Sequence, residues 1–343
     1  MNEGNDRGFE YLPNDLLDKI LRRIPAEQLW WRCRLVCTRW KSLVSSPSFA
    51  HAHLQQSPPT FFVSKHRGGK QKVDLFYPRD DDAKRAFDGL FQRWNHRMRG
   101  DIVLPVASCN GLVLFQSFSC GSAEFHIGNP ITGEILTLKA PSYGNELEMT
   151  IHFFGFFFHS STQEYKLLFY HRTDRPSTKN RFGYAMVMHT LGSAKWRSLR
   201  APLYDVWCSS QPLVVVDNTL YWMFPNLSCE NSILMFSMDS EEFRTISHPK
   251  YPCKPGDTHQ WIRLLEMDGR LTCWCWVVGL MVQECFFEVF VFDTVDHVGA
   301  HTHWTRIYVL DLTQTFGSYM SHTVRDFYNL KLGSIQNREL LLF

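Results

Sequence analysis

The sequence lacks any long uninterrupted apolar segment. Its longest apolar run, from Cys273 to Val282, has ten residues, whereas a membrane-spanning helix needs about 20. The first residues, MNEGNDRGFE, are polar and acidic, and they lack the basic segment and apolar stretch of a secretory signal. These absences predict an intracellular protein, cytoplasmic and/or nuclear, with no membrane partner.

A strong charge of one sign is also missing. Lys and Arg number 36 and Asp and Glu number 34, so the formal net charge is +2. That balance gives no whole-chain electrostatic footprint for nucleic acid. Four basic residues near the N-terminus are interpreted as a solvated face, because no glycine marks the turn of a DNA-reading helix pair; they are Arg32, Arg34, Arg39 and Lys41.

Catalytic and cofactor-binding motifs are absent as well. The sequence has no phosphate-binding loop, no dinucleotide-binding glycine motif, no nucleophile elbow and no zinc-protease helix motif. His301 and His303 lack a third ligand at metal-binding spacing and are interpreted as exposed turn residues, whereas Cys273 and Cys275 are interpreted as core residues of an aromatic strand. The sequence therefore predicts a non-catalytic chain with neither a cofactor nor a metal.

Apolar residues are plentiful, at 44% of the chain with 15% aromatic, and they follow a helical period near the N-terminus. Leu16, Leu17, Ile20, Leu21 and Ile24 form one stripe. A second apolar set follows, and its pattern stops at a proline at position 47. We expect three short helices between residues 12 and 46. So short a segment cannot bury this much apolar surface alone, so a partner or the following domain must cover it.

The same stretch, LPNDLLDKILRRIP followed by LVCTRWKSLVSSPSF, resembles an F-box. In that family a helical trio binds a Skp-type adaptor, which connects it to a cullin and a RING subunit. Trp30 and Trp31 depart from the family pattern of one smaller apolar and one polar residue. The resemblance implies that the following residues form or support the adaptor-binding surface: Leu12, Pro13, Leu16, Ile20, Leu21, Ile24, Pro25, Leu35, Val36, Cys37 and Trp40. The spacing alone leaves open a helical cap packed on the downstream domain.

A polar, proline-containing segment, QQSPPT, marks a boundary after residue 54. Two strands are expected around the basic turn KHRGGKQK, and a highly charged surface segment, RDDDAKRAFDGLFQRWNHRMRG, follows them. The predicted organisation is an F-box over residues 8–54, a linker with the first strands over 55–104, and a β domain over 105–343.

From residue 105 onward two kinds of hairpin alternate. The first has a tight turn before an apolar strand, at Asn110-Gly111, near Ser161, and at Asp217-Asn218, Asp268-Gly269 and Asn337-Arg338. The second has a polar turn followed by an aromatic residue, most clearly Trp196, Phe243 and Trp304. Two hairpins in each stretch of roughly 50 to 60 residues make a four-stranded repeat, which is the unit of a β-propeller blade.

The order of these segments, from SCNGLVLF through GNPITGEILTL to ILMFSMDSEEFRTI, resembles the F-box-associated domain of plant F-box proteins, which has kelch-like repeats. The resemblance implies an all-β, propeller-like fold. Because members of that family often run further, it also implies a domain that is incomplete at its C-terminus.

Together the two resemblances imply the substrate-recognition subunit of an SCF-type (Skp-cullin-F-box) ubiquitin ligase, which binds an unidentified target protein through its β domain. Two alternatives stay open on the sequence. One is an F-box scaffold that works outside a ligase, and the other is a propeller enzyme or ligand-binding module with a helical cap.

Overall fold

A computed structural model describes residues 12–57, 61–67, 70–76, 102–119, 122–139, 151–172, 184–200, 213–224, 228–249, 262–278, 285–295 and 302–311. The chain divides into two compact units, Met1–Ile151 and His152–Phe343. Among the described residues, no helix is long and apolar enough to cross a membrane.

The N-terminal region contains four α-helices and one 3-10 turn. Three of the α-helices lie between residues 12 and 46, as the sequence predicts, and a fourth follows them. The elements are α1 (Asn14–Leu21), α2 (Ala26–Trp31), the 3-10 turn Cys33–Leu35, α3 (Thr38–Val44) and α4 (Pro47–Gln56). Pro47 begins α4 instead of ending the helical pattern, because a proline fits the first turn of a helix, in which its missing N–H needs no partner. Ser46 caps this helix by accepting a hydrogen bond from the Phe49 amide at 3.3 Å.

These helices bury a small core of their own. Leu17 and Leu21 from α1 meet Leu29 from α2 and Phe49 from α4, and all four are nearly fully buried. Partly buried apolar residues surround this core: Ile24, Cys33, Trp40, Leu43 and Val44. The fourth helix is therefore needed to close the core, because it supplies the only aromatic residue among the four buried ones.

The segment predicted as a linker contains the predicted hairpin. Strands β1 (Phe61–Arg67) and β2 (Lys70–Phe76) pair antiparallel, with Phe61 opposite Phe76 and Arg67 opposite Lys70. This confirms the two strands expected around the basic turn. The charged segment that follows lies outside the described residues.

The first unit also contains a four-stranded antiparallel sheet. Its strands are β3 (Ile102–Cys109), β4 (Leu112–Ser119), β5 (Ser122–Gly128) and β6 (Ile135–Lys139), and they pair in chain order. Asn110 and Gly111 join β3 to β4 with φ angles of 49° and 78°, the left-handed conformation of a tight hairpin turn. The predicted asparagine–glycine turn is confirmed.

The second unit contains three more sheets of the same kind, each with four antiparallel strands paired in chain order. The first has β7 (Ile151–His159), β8 (Glu164–Arg172), β9 (Tyr184–Thr190) and β10 (Arg197–Leu199); the second has β11 (Val214–Val216), β12 (Thr219–Met223), β13 (Ile233–Ser237) and β14 (Phe243–Ile246); the third has β15 (Ile262–Met267), β16 (Arg270–Val278), β17 (Cys285–Val295) and β18 (Thr302–Asp311). The predicted four-stranded repeat is therefore confirmed.

Two apolar clusters pack the sheets of the second unit face to face. The first lies between β7–β10 and β11–β14: Phe157, Leu168, Tyr170, Met186, Met188, Leu220, Trp222, Phe224, Leu234, Phe236 and Met238. The second lies between β11–β14 and β15–β18: Val214, Val216, Tyr221, Met223, Ile233, Ile246, Ile262, Leu264, Leu271, Cys273, Cys275 and Phe290. Successive residues of β12 alternate between the clusters, which is why this strand is apolar on both faces.

The two kinds of turn lie where the sequence predicts them. Gln163, Asp217 and Asp268 have positive φ in the turns that join the first two strands of the three sheets in the second unit. The aromatic residue of the second hairpin packs on its own sheet: Trp196 lies 5.3 Å from Phe169, Phe243 4.7 Å from Phe236 and Trp304 5.2 Å from Phe292, between ring centroids. The turn expected at residues 337–338 lies outside the described residues.

Candidate functional site

Several large apolar side chains of the helical region face solvent. Leu16 and Ile20 are 47% and 44% exposed and lie one turn apart on α1, while Leu35 and Val36, at the end of the 3-10 turn, are 72% and 63% exposed. Trp31, the last residue of α2, is 50% exposed. We call these five residues the exposed helical set. Five exposed large apolar residues within one short helical region favour a protein-binding surface.

Helix α1 is apolar on two sides, because adjacent residues lie about 100° apart around its axis. Leu17 and Leu21 point into the helical core, whereas Leu16 and Ile20 point away from it. The apolar stripe expected from the sequence is therefore divided into a buried side and an exposed side.

The structure separates the residues of the predicted adaptor-binding surface by exposure. Seven are exposed: Pro13, Leu16, Ile20, Pro25, Leu35, Val36 and Cys37. Leu12, Ile24 and Trp40 are partly buried. Leu21 is fully buried in the helical core. It therefore contributes no exposed area to the predicted surface and instead packs beneath α1.

Arg39 on α3 fixes the segment that leads into α1. Its Nε donates to the Asn14 Oδ1 at 2.9 Å, and its Nη2 donates to the Leu12 carbonyl oxygen. The interpretation of Arg39 as part of a solvated basic face is therefore wrong, because its guanidinium binds a carbonyl group 27 residues away in the chain. This clamp sets the position of Leu12 and Pro13 beside α1.

A second polar contact joins α4 to the turn between α1 and α2. The His53 Nε2 lies 2.8 Å from the Ile24 carbonyl oxygen, and the Ser57 hydroxyl lies 3.1 Å from the Nδ1 of the same ring. Since a carbonyl oxygen can only accept, the Nε2 is the donor. Sequence reasoning missed this contact, because it placed no helix after residue 46.

The helical region is basic although the whole chain is nearly neutral. Residues 12–57 contain seven Lys and Arg residues and three Asp and Glu residues. Asp18 and Arg22 form an ion pair at 2.5 Å on α1, and the Arg34 guanidinium carbon lies 3.5 Å from the ring centroid of Trp30. A surface that combines apolar residues with surplus positive charge suits a protein partner with an acidic rim.

Ionisable side chains also meet between two sheets of the second unit. The buried His159 donates from its Nε2 to the Asp239 carboxylate at 2.9 Å, and its Nδ1 lies 3.3 Å from the Lys166 ammonium. The hydrogen bond from His159 lowers the pKa of Asp239, and a bond from Ser161 acts in the same direction. These groups join the end of β7 to the turn after β13, across 80 residues of sequence, and so tie the two sheets together.

The pairs considered as metal ligands have other surroundings. Cys273 and Cys275 are buried in the second cluster with their sulfurs 4.0 Å apart, which confirms them as core residues, and burial raises the pKa of the Cys273 thiol. His303 is exposed, as predicted, but it lies on strand β18 instead of in a turn, and His301 lies outside the described residues. Within the part of the chain that the structure describes, no group of three or more His, Cys, Asp and Glu side chains could hold a metal ion.

Comparison with known families gives two matches. Residues 59–324 match the F-box associated beta propeller domain, and residues 9–51 match the F-box domain. The first match alone spans more than half of the chain.

Three relatives from Arabidopsis thaliana are similar to this chain. F-box protein At3g07870 is 28% identical over 303 residues, which cover 79% of this chain and 67% of the relative. Putative F-box protein At1g33530 is 26% identical over 247 residues, covering 69% and 50%, and F-box/kelch-repeat protein At3g61590 is 24% identical over 229 residues, covering 62% and 51%. The chain thus spans about half the length of the last two.

A solved chain from a study of two prolyl endopeptidases matches at 12% identity and a TM-score of 0.28, over 84% of this chain and 56% of that one. So low a score carries no argument about fold or activity. The two family matches, the helical region with its exposed apolar residues and the repeated four-stranded sheets agree with one another: the chain belongs to the F-box proteins that carry an F-box associated beta propeller domain.

Proposed function

We propose that this chain is the substrate-recognition subunit of an SCF-type E3 ubiquitin ligase. Its F-box binds a Skp-type adaptor, and its β domain binds a target protein. The observation that carries the proposal is the exposed helical set, because Leu16, Ile20, Leu35 and Val36 stay exposed although the helices already have a buried core.

The energetics favour a partner for this surface. Full burial of one such side chain contributes about 1.5–3 kcal/mol, so covering the exposed parts of four of them contributes several kcal/mol to association. Pro13 and Cys37 are exposed as well, and they extend the surface beyond the ends of α1 and the 3-10 turn. Adaptor binding completes a hydrophobic surface that the helices leave open.

The role of the β domain is to hold the target near the enzyme that transfers ubiquitin. The adaptor connects the chain to a cullin and a RING subunit, and these bring the transferring enzyme close to the target. Catalysis then depends on proximity, which raises the effective concentration of the acceptor lysine, and no residue of this chain takes part in the chemical step. The place of action that we propose is the cytoplasm and/or the nucleus.

Binding to a purified Skp-type adaptor tests the proposal. In the full-length chain, Leu16→Ala combined with Ile20→Ala should weaken adaptor binding by about 100-fold, since two central apolar contacts are lost together. Isothermal titration calorimetry measures the affinity, and the melting temperature should change little because both side chains are exposed.

A matched control removes exposed apolar side chains elsewhere. Val215→Ala combined with Ile307→Ala truncates two side chains that are each 37% exposed on β11 and β18, and this variant should bind the adaptor like the wild type. Equal adaptor affinity in the Leu16 and Ile20 variant and in the wild type would reject the proposed surface.

Proximity labelling in cells tests the second half of the proposal. Under proteasome inhibition, target proteins should be labelled by the wild type and by the Leu16 and Ile20 variant alike, whereas cullin and RING subunits should be labelled by the wild type alone. Labelling of the ligase subunits by both chains would contradict the assignment.

A further inference from the structure

We propose that Trp31 is an aromatic anchor of the adaptor-binding surface, received by an apolar, acidic-rimmed site on the Skp-type adaptor. This inference rests on the proposed function and extends it to a residue outside the predicted surface. The observation behind it is the different environment of two adjacent tryptophans.

Trp30 and Trp31 are neighbours on α2 with different surroundings. Trp30 is partly buried, and the Arg34 guanidinium lies 3.5 Å from its ring centroid, a cation–π arrangement. Trp31 is 50% exposed at the end of the helix. Trp30 is therefore covered in part by Arg34, whereas Trp31 presents half of a large apolar ring to solvent.

The position of Trp31 distinguishes it from an isolated surface tryptophan. Among the described residues, ten large apolar side chains are exposed, and five of them fall between residues 16 and 36. Trp31 is followed closely by the short 3-10 turn Cys33–Leu35, which ends at the exposed Leu35 and Val36. Single exposed apolar residues are common on proteins, whereas five of them within one short helical region favour a binding surface.

The charge around Trp31 indicates the kind of partner. Residues 31–41 contain Arg32, Arg34, Arg39 and Lys41 and no Asp or Glu. Arg39 binds Asn14 and the Leu12 carbonyl group, whereas Arg32 and Lys41 are exposed. An acidic partner complements these cations, and the exposed aliphatic side chains of the 3-10 turn favour a protein over nucleic acid.

Tryptophan suits an anchor for two reasons. Its ring covers a large apolar area with only two rotatable side-chain bonds, so little entropy is lost when it is fixed. Tryptophan, tyrosine and arginine are also the residues that most often dominate the affinity of an interface. We therefore expect Trp31 to contribute more to adaptor binding than any single residue at the edge of the surface.

The test compares substitutions of Trp31 in the full-length chain, with the purified Skp-type adaptor as the probe. Trp31→Ala should weaken binding by about 10- to 100-fold, and Trp31→Phe, which keeps an aromatic ring, by less than about fivefold. Tyr308→Ala is the control, because Tyr308 is 59% exposed on β18; it should bind like the wild type. Circular dichroism and melting temperatures should agree among all four proteins.

A charge variant sharpens the result. The affinity of the wild type should fall as salt rises from about 50 to 500 mM, because surface electrostatic attraction is screened, and Arg32→Gln should reduce that dependence. An affinity that does not change with salt would contradict the acidic rim.

The outcomes separate this inference from the proposed function. If the wild type binds the adaptor and Trp31→Ala binds it equally well, the inference fails and the proposed function stands. If the wild type does not bind the adaptor, both fail. Binding to duplex DNA is measured for the same proteins. If the wild type binds DNA, and Trp31→Ala loses DNA binding but keeps adaptor binding, the surface is assigned to nucleic acid and the inference is overturned.

Discussion

The helical region and the sheets of the second unit use apolar residues in opposite ways. The helices bury four large side chains completely or nearly so and leave five exposed. The sheets place their apolar residues in two clusters between neighbouring sheets, where successive residues of one strand serve both. The comparison teaches that the sheets of the second unit bury their apolar residues against one another, whereas the helices leave part of their apolar surface exposed, which is the part that we propose binds the adaptor.

The largest expected effect tests this difference directly. Phe236→Ala removes a fully buried ring from the cluster between β7–β10 and β11–β14, and it should lower the free energy of unfolding by about 3–5 kcal/mol. Ile20→Ala removes an exposed side chain of α1 and should lower it by less than about 1 kcal/mol. Chemical denaturation followed by fluorescence gives both free energies of unfolding. Equal losses in the two variants would contradict the difference between the helices and the sheets.

A smaller effect concerns the clamp that shapes the helical surface. Arg39→Ala removes the donors to the Asn14 side chain and to the Leu12 carbonyl group. We expect a loss of about 1–1.5 kcal/mol in adaptor binding, or about tenfold in Kd, because Leu12 and Pro13 lose their fixed position. Ser42→Ala, at an exposed position of the same helix, is the control. Indistinguishable affinities for the two variants would rule out a positioning role for Arg39.

The smallest expected effect is a pH dependence in the sheet of the first unit. His126 on β5 is fully buried, with its Nε2 2.9 Å from the Ser117 hydroxyl and its Nδ1 2.9 Å from the Thr137 hydroxyl. Burial lowers the pKa of His126, although the nearby Glu124 acts in the opposite direction. The unfolded chain therefore takes up the proton first as the pH falls. The stability associated with neutral His126 is fully present above about pH 6.5 and is lost progressively between that value and the lower pKa of the folded state.

Urea denaturation at about pH 7.5 and about pH 5.5, on either side of the ordinary histidine pKa, measures this effect. The wild type should lose stability at the lower pH, and His126→Gln should lose less between the two conditions. His303→Gln changes an exposed histidine and should lose as much as the wild type. A loss in His126→Gln equal to that of the wild type would show that His126 does not carry the pH dependence.

The parts of the fold that depend on local sequence could be predicted. Asn110-Gly111 and Asp268-Gly269 form tight turns because these residues accept positive φ, and the spacing of such turns indicates four-stranded repeats. The exposure of Leu16 and Ile20 also follows from helical spacing once the core is filled from the other side of α1.

The parts that depend on distant contacts could not be predicted. Pro47 permits either the end or the start of a helix, and Phe49 decides between them by completing the helical core. Arg39 binds a carbonyl group 27 residues away, and His159 binds a carboxylate 80 residues away. Nothing local distinguishes such residues from solvated ones, since their partners are brought near only by the folded chain.

The pairing of every described four-stranded sheet in chain order also has a consequence during synthesis on the ribosome. A strand needs only the strand made just before it, so contacts of low sequence separation suffice to build each sheet. The helices leave the ribosome before these sheets do, and their uncovered side chains are then already available to a subunit made elsewhere. On the proposed function, the adaptor can therefore bind the nascent chain while the β domain is still being translated.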